Sequence, residues 1–195
     1  MHHIHHTEAF VLGSRAKGED SKVLFLYTRE LGLVYAHAQG IRKISSKLRF
    51  TLQDFSRAQI DLVRGKEIWR VTTASPIHSY THILHIKESE RILAHVSSLI
   101  LRLVTGEEAS EEIFQILVRT YALLETGGKT QEDFRALELL CVARILISLG
   151  YLSRAIPGVA VTLGGEAQIP EEFSDIAYQH RLIRDINQAL SESQL

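Results

Sequence analysis

Cysteine is all but missing from this 195-residue chain: Cys141 stands alone, which excludes an intramolecular disulfide and any cysteine-cluster zinc site. Unbroken apolar runs stop at five residues, as in Val23 to Tyr27, whereas a membrane-spanning helix needs about 20. No transmembrane helix is expected. The opening MHHIHHTEAF offers neither an apolar h-region nor a cleavage site, so nothing suggests secretion, and a reducing cytoplasm is the expected setting. There is no Walker loop, no G-x-G-x-x-G, no G-x-S-x-G and no H-E-x-x-H, so the motifs that carry a known catalytic mechanism are missing too.

What the chain does hold is a globular composition, 45% apolar and 23% charged, enough to bury the core of one large domain or two small ones. A net charge of −1 conceals an asymmetry: residues 1–75 carry 12 basic and 7 acidic side chains, whereas residues 76–195 carry 10 and 16. A half at +5 followed by one at −6 suggests two modules with different partners.

The hydrophobic period divides the chain at the same place. Up to Ser75 the segments alternate with a period of two between glycines. Val23, Phe25 and Tyr27 oppose Leu24 and Leu26; Val34, Ala36 and Ala38 oppose Leu33, Tyr35 and His37. Both faces are partly apolar, as in a small barrel. The expected strands are Glu8 to Arg15, Lys22 to Thr28, Leu33 to Gln39, Leu52 to Arg64 and Glu67 to Ser75, with Arg64-Gly65-Lys66 as the last tight turn. Five short strands in about 70 residues fit an OB-type barrel.

After Pro76 the period becomes 3.6. One helix is expected from Lys87 to Val104. A second follows Ser110 as N-cap and stops at Gly127-Gly128, and a third runs from a Thr130–Asp133 capping box to Leu149. The third is apolar nearly all round, so it should be the centre of a bundle. Ser153 to Pro170 reads as an irregular loop, and a last helix uses Ile176, Ile183, Ile186 and Leu190 as its apolar stripe. The expected class is therefore α+β: residues 1–76 an OB-fold nucleic-acid-binding domain, residues 77–195 a helical domain.

Candidate chemistry is sparse. His2, His3, His5 and His6 are conspicuous, but they read as a frayed terminus with adventitious metal affinity. His78, His82 and His85 lack a fourth ligand, and Cys141, on the apolar side of a central helix, reads as a small buried hydrophobe. The basic stretch GIRKISSKLR stands apart. Leu31 to Gln53 contains no Asp or Glu, while Arg42, Lys43, Lys47 and Arg49 crowd into ten residues together with Ser45 and Ser46. A one-sign loop between the third and fourth strands of a small barrel is a track for phosphates, which Arg15, Lys17, Lys22 and Arg29 would extend. Tyr27, Tyr35, Phe50 and Trp69 are candidate stacking platforms or core residues. An OB barrel of this kind would serve RNA as well as DNA, so an RNA-binding or translation-associated protein is the competing reading; a hydrolase finds no activated nucleophile to rest on.

The run TEAFVLGSRAKGEDSKVLFLYTRELGLVYAHAQGIRKISSKLRFTLQDFS resembles the N-terminal OB domain of the RecO recombination-mediator family, and FRALELLCVARILISLGYL is similar to that family's central helix. The resemblance covers roughly Thr7 to Leu152. It implies a non-enzymatic DNA repair protein, cytoplasmic and nucleoid-associated, that binds single- and double-stranded DNA, promotes annealing and helps load a recombinase onto coated strands. A RecR-like protein and single-strand-binding protein are the implied partners. Many members carry a four-cysteine zinc knuckle after the Leu-Gly-Tyr, but Ser153 to Pro170 has no cysteine, so zinc is not expected; the chain is also shorter than typical members.

Overall fold

The structure, a computed structural model, describes residues 3–66, 68–78, 80–159 and 167–192. Two compact units emerge, one made of Met1–His82 with Thr105–Ser110, the other of Ile83–Val104 with Glu111–Leu195.

The first unit is a closed five-stranded barrel in the order β1-β2-β3-β5-β4, with β1 Ile4–Lys17, β2 Ser21–Thr28, β3 Gly32–Ala38, β4 Arg57–Arg64 and β5 Trp69–His78. All neighbours are antiparallel except β3 and β5, which meet in parallel at Ala36↔Trp69 and His37↔Arg70. The interior is filled by one side of each strand: Ala9 and Val11, Leu24 and Leu26, Val34 and Ala36, Ala58, Ile60 and Leu62, Trp69 and Val71. This is the alternation expected of strands closed around a core.

Three strand limits differ from the sequence reading by three residues or more. Strand β1 begins at Ile4, because Ile4 to Phe10 ladder onto Val63 to Arg57 of β4. His5 and His6 are therefore strand residues and not part of a frayed end; His6 Nδ1 lies 2.6 Å from Asp61 Oδ1 and the His5 ring meets the Trp69 edge. His2 lies outside the described residues, as does Glu67, where the fifth strand was expected to start. Strand β4 begins only at Arg57, since Gln53 to Ser56 make a turn with Phe55 at φ 66°. Strand β5 continues through Pro76, which pairs with Ala58 of β4 and has no β3 partner on its other edge, where a missing N–H costs nothing. The last hairpin turns at Gly65, whose N–H donates to Ile68 O; a Cβ there would fall 2.3 Å from that oxygen. Gly32 is held at φ 68° with a would-be Cβ 2.2 Å from Glu108 O, so the β2–β3 turn admits no side chain.

A helical turn, α1 (Leu48–Thr51), sits in the β3–β4 connection, and α2 (Thr81–Leu84) follows the barrel. The second unit contains α3 (Lys87–Leu103), α4 (Glu111–Glu125), α5 (Gln131–Ser148) and α6 (Ile176–Glu192), with a 3₁₀ turn at Glu171–Ser174. Both bonds of the Thr130–Asp133 capping box form. Helix α5 is central: Leu137, Leu140, Cys141, Ala143, Ile145 and Leu146 are buried, and α3, α4 and α6 all pack on it. Helix α6 corrects the expected stripe. It buries Leu182 and Ile186, one turn apart, while Ile176 and Ile183 are 66% and 42% exposed, because Phe173 and Tyr178 fix a different side against α5. Of the expected irregular loop, Ser153–Val159 and Ala167–Pro170 form turns and extended chain; residues 160–166 lie outside the described residues. Among the described residues no helix is long and apolar enough to cross a membrane.

Candidate nucleic-acid interface

Outward-facing positions of the barrel are set by register. Ala9 and Val11 of β1 point inward, and an unbroken strand would send Arg15 and Lys17 inward with them. The β1–β2 pairing instead slips between Val11↔Leu26 and Gly13↔Phe25, so Leu12 is an extra residue and the odd positions beyond it face out. Arg15 then aligns with Val23, Val23 with His37, and His37 with Arg70, forming one row on the outer side of four strands in which Arg15 and Arg70 are exposed, His37 is half-buried and Val23 is buried. The next row is Gly13, Phe25 and Tyr35, with the two rings edge to face at a centroid distance of 5.4 Å and Tyr35 44% exposed. An aromatic pair is thus bordered by cations at both ends of a row. Partial burial first, and then the neighbouring Lys17 and Arg70 cations, hold the His37 imidazole below its usual pKa.

The basic loop lies beside this sheet face. Its N–H and C=O groups close successive turns, Lys43 to Gly40, Ser46 to Lys43, Arg49 to Ser46 and Leu52 to Leu48. Its apolar residues Ile41, Leu48 and Leu52 pack into the barrel core, so the loop is anchored along its length. It also docks on the β1–β2 turn: the Arg42 guanidinium donates to Gly18 O at 3.2 Å and Lys43 Nζ lies 3.5 Å from Asp20. Arg42, Lys43, Lys47 and Arg49 are all exposed. The loop is one-signed along the sequence, yet in space Asp20 offsets part of its charge, an exposed pair worth little in water.

The remaining expected cations divide. Arg15 and Lys17 join the sheet face beside the loop. Lys22 pairs with Ala16 and Ala38 on the inward-facing side at the barrel rim, where it donates to Ser14 Oγ at 3.0 Å and Ser14 in turn donates to Asp54. Arg29 lies just past the far end of β2, seven residues or roughly 23 Å from Lys22. There it shares Glu8 with Arg57, in a cluster that also includes Tyr80. Phe25, His37 and Arg70 belong to the surface but escaped the sequence reading; the alternation of β2 and β3 carried the signal for the first two, and only the β3–β5 register brings in Arg70. Tyr27 and Trp69 are core residues, whereas Tyr35 and Phe50 are exposed.

Among the described residues no group of three His, Cys, Asp or Glu side chains comes together. Cys141 itself is buried against Thr120 Oγ1 at 2.9 Å, and burial pushes its pKa up to about 11, so it stays a thiol and not a thiolate ligand.

Comparison with known proteins agrees with the barrel. Residues 1–80 match the family described as Recombination protein O N terminal. Curated relatives called DNA repair protein RecO include one from Pelotomaculum thermopropionicum, 31% identical over 148 residues, 76% of this chain and 56% of the relative. One from Dehalococcoides mccartyi is 28% identical over 74% of this chain and 56% of the relative, and one from Heliobacterium modesticaldum is 32% identical over 62% and 44%. The chain spans about half the length of the curated relatives it matches. Residues 1–80, the closed OB-type barrel, thus belong to the RecO N-terminal domain family, and similarity to RecO proteins continues into the helical unit centred on α5.

Proposed function

We propose that this chain is a non-enzymatic DNA repair protein of recombination whose barrel binds single- and double-stranded DNA, promotes strand annealing and helps load a recombinase onto strands coated by single-strand-binding protein. One observation carries DNA binding: Arg15, His37 and Arg70 on one outer row of the barrel beside the Phe25–Tyr35 pair, continued by the exposed Arg42, Lys43, Lys47 and Arg49. Cations spread along a path neutralise successive phosphates and release their counterions, while rings between them receive bases. Arg15 and Lys17 belong to this path. Lys22 and Arg29, held by Ser14 and Glu8, serve the barrel's rim and its ion pairs. No activated nucleophile or metal cluster competes for the same residues.

Charge supports the partner side of the reading. The segment Thr105–Ser110 brings Glu107 and Glu108 to the barrel unit, where Glu107 accepts from Trp69 Nε1 at 2.9 Å and pairs with Arg64. The barrel unit then holds 12 basic and 9 acidic side chains, and the helical unit 10 and 14. An acidic helical unit repels DNA and suits protein partners, here a RecR-like protein and single-strand-binding protein. Such a protein works in the cytoplasm, on the nucleoid.

Titration of the full chain with a fluorescent single-stranded DNA over a range of salt tests the reading. Affinity should fall with log salt by roughly 0.7 per phosphate neutralised, and changing Arg42, Lys43, Lys47 and Arg49 together to Gln should flatten that slope by up to about 3. The loss should be similar for different sequences, because phosphate contacts carry no base information. An unchanged affinity and slope overturns the assignment of the loop. An RNA of the same sequence bound more tightly than the DNA overturns the choice of nucleic acid.

A further inference from the structure

The basic loop has two side chains that phosphate binding does not explain. Of its five apolar residues, Ile41, Leu48 and Leu52 turn into the barrel core, while Ile44 is 88% exposed and Phe50 74% exposed. Phe50 is placed outward by geometry: two positions along a helical turn from the inward Leu48, it is rotated by about 200°. The turn is fixed, since Leu52 N–H donates to Leu48 O at 2.9 Å and Thr51 Oγ1 donates to Lys47 O at 3.4 Å. Water therefore meets a sec-butyl group flanked by Lys43 and Lys47 and a phenyl ring next to Arg49 on an anchored loop, with no acidic residue from Leu31 to Gln53.

We propose that Phe50 stacks on an unpaired nucleobase and that Ile44 acts as an apolar wedge beside it, so that the loop selects DNA whose bases are out of the duplex. This rests on the DNA-binding reading above and adds to it what the loop recognises. The occupant is chosen by charge and shape together. A polyanion with flat apolar faces exposed at short intervals along it matches four cations interleaved with two apolar tips, and a duplex, whose base faces are covered, does not. Proximity agrees as well: Arg42 reaches Gly18 O, one residue after Lys17, and β3 runs from Tyr35 and His37 directly into the loop. Strand phosphates held on the sheet face thereby lead to the two tips.

The test uses the full chain and two fluorescent probes of equal length, a thymidine oligonucleotide and a strand of abasic residues, which share phosphates and differ only in bases. The unaltered protein should prefer the thymidine strand by about tenfold or more, as expected for one or two stacked bases. Phe50→Ala should remove most of that preference and leave the salt slope unchanged; Ile44→Ala should remove a smaller part, and Phe50→Trp should restore it. Equal affinity of the unaltered protein for both strands, or an equal loss on both with Phe50→Ala, overturns the proposal. Failure of the DNA reading looks different, since neither strand would bind with a salt-dependent affinity. A free chain that sediments as a dimer and becomes a monomer with Phe50→Ala would assign the tips to self-association and also overturn it.

Discussion

In the barrel unit each strand gives one side to the core, and although Phe10, Val23, Tyr27 and Leu33 are buried outside that core, the outer side also collects Arg15, Phe25, Tyr35, His37 and Arg70 from four different strands. In the helical unit α5 is buried on most of its circumference, and its neighbours spend their apolar sides on it. Burial therefore leaves different things over. Pleated strands laid side by side place residues distant in sequence into rows, so a surface with combined charge and aromatic character arises from register alone. Helices wrapped on a central helix leave outward sides of mixed sign, such as the Arg91 and His95 contacts to Glu138, 3.0 and 2.6 Å long, which fasten α3 to α5. The contrast teaches that the barrel unit, with 12 basic and 9 acidic side chains, carries its excess positive charge on strand rows and one loop, whereas the helical unit, with 10 and 14, spreads mixed charge over its helices.

A substitution at the centre of the helical unit should separate stability from binding most strongly. Leu140 is fully buried in α5, and Leu140→Ala should cost about 2–5 kcal/mol of stability through the cavity it leaves. Its single-strand affinity, measured where the variant is still folded, should match the parent chain. If a denaturant midpoint shift of that size came with a large loss of affinity, the division of labour between the units would fail.

Next in size is a matched pair of double substitutions. Arg15→Gln with Arg70→Gln removes both ends of the outward row and should lower the salt slope by up to about 1.4. Arg181→Gln with Arg184→Gln removes the same charge from exposed positions of α6 and should leave affinity within about twofold. Equal effects from the two pairs would mean that net charge, and not the row, draws the DNA.

Much of this architecture was legible in the sequence because its signals are local. The alternation in Val23 to Tyr27 and Leu33 to His37 is decided by neighbours on one strand, and the capping box at Thr130 by residues three apart. The slip at Leu12 was not legible: a period-two pattern has no mark for one extra residue, and that residue decides whether Arg15 and Lys17 face water. Nor was the assembly of Arg15, His37 and Arg70, which are 55 positions apart end to end and meet only through three strand pairings. The basic loop was visible as composition, whereas its docking on Gly18 and Asp20 depends on a turn some 20 residues earlier. In α6 the isoleucines drew the stripe to Ile176 and Ile183, since a helix carrying Leu182, Ile183 and Ile186 has two overlapping apolar sides and packing against Phe173 chooses between them.

The smallest expected effect comes from His37, and its sign is fixed by its neighbours. In the folded protein His37 is held below its ordinary pKa by burial and by Lys17 and Arg70, so the free barrel prefers the neutral ring. The unfolded chain binds this proton more readily, and the contribution of His37 to stability is present above about pH 6.5 and lost as pH falls through the folded value. A phosphate bound across the row reverses the local balance, since it favours the imidazolium as it favours Arg15 and Arg70. Binding should therefore take up a proton at this site, and single-strand affinity should rise severalfold as pH is lowered from about 7.5 to about 5.5. The chain holds other histidines, so the decisive quantity is the difference between the parent chain and His37→Gln. The variant should bind nearly as well at the upper pH, gain less affinity on acidification, and lose less stability. Parallel affinity profiles for the two proteins would show that DNA does not approach the Arg15–His37–Arg70 row, and would confine the interface to the basic loop.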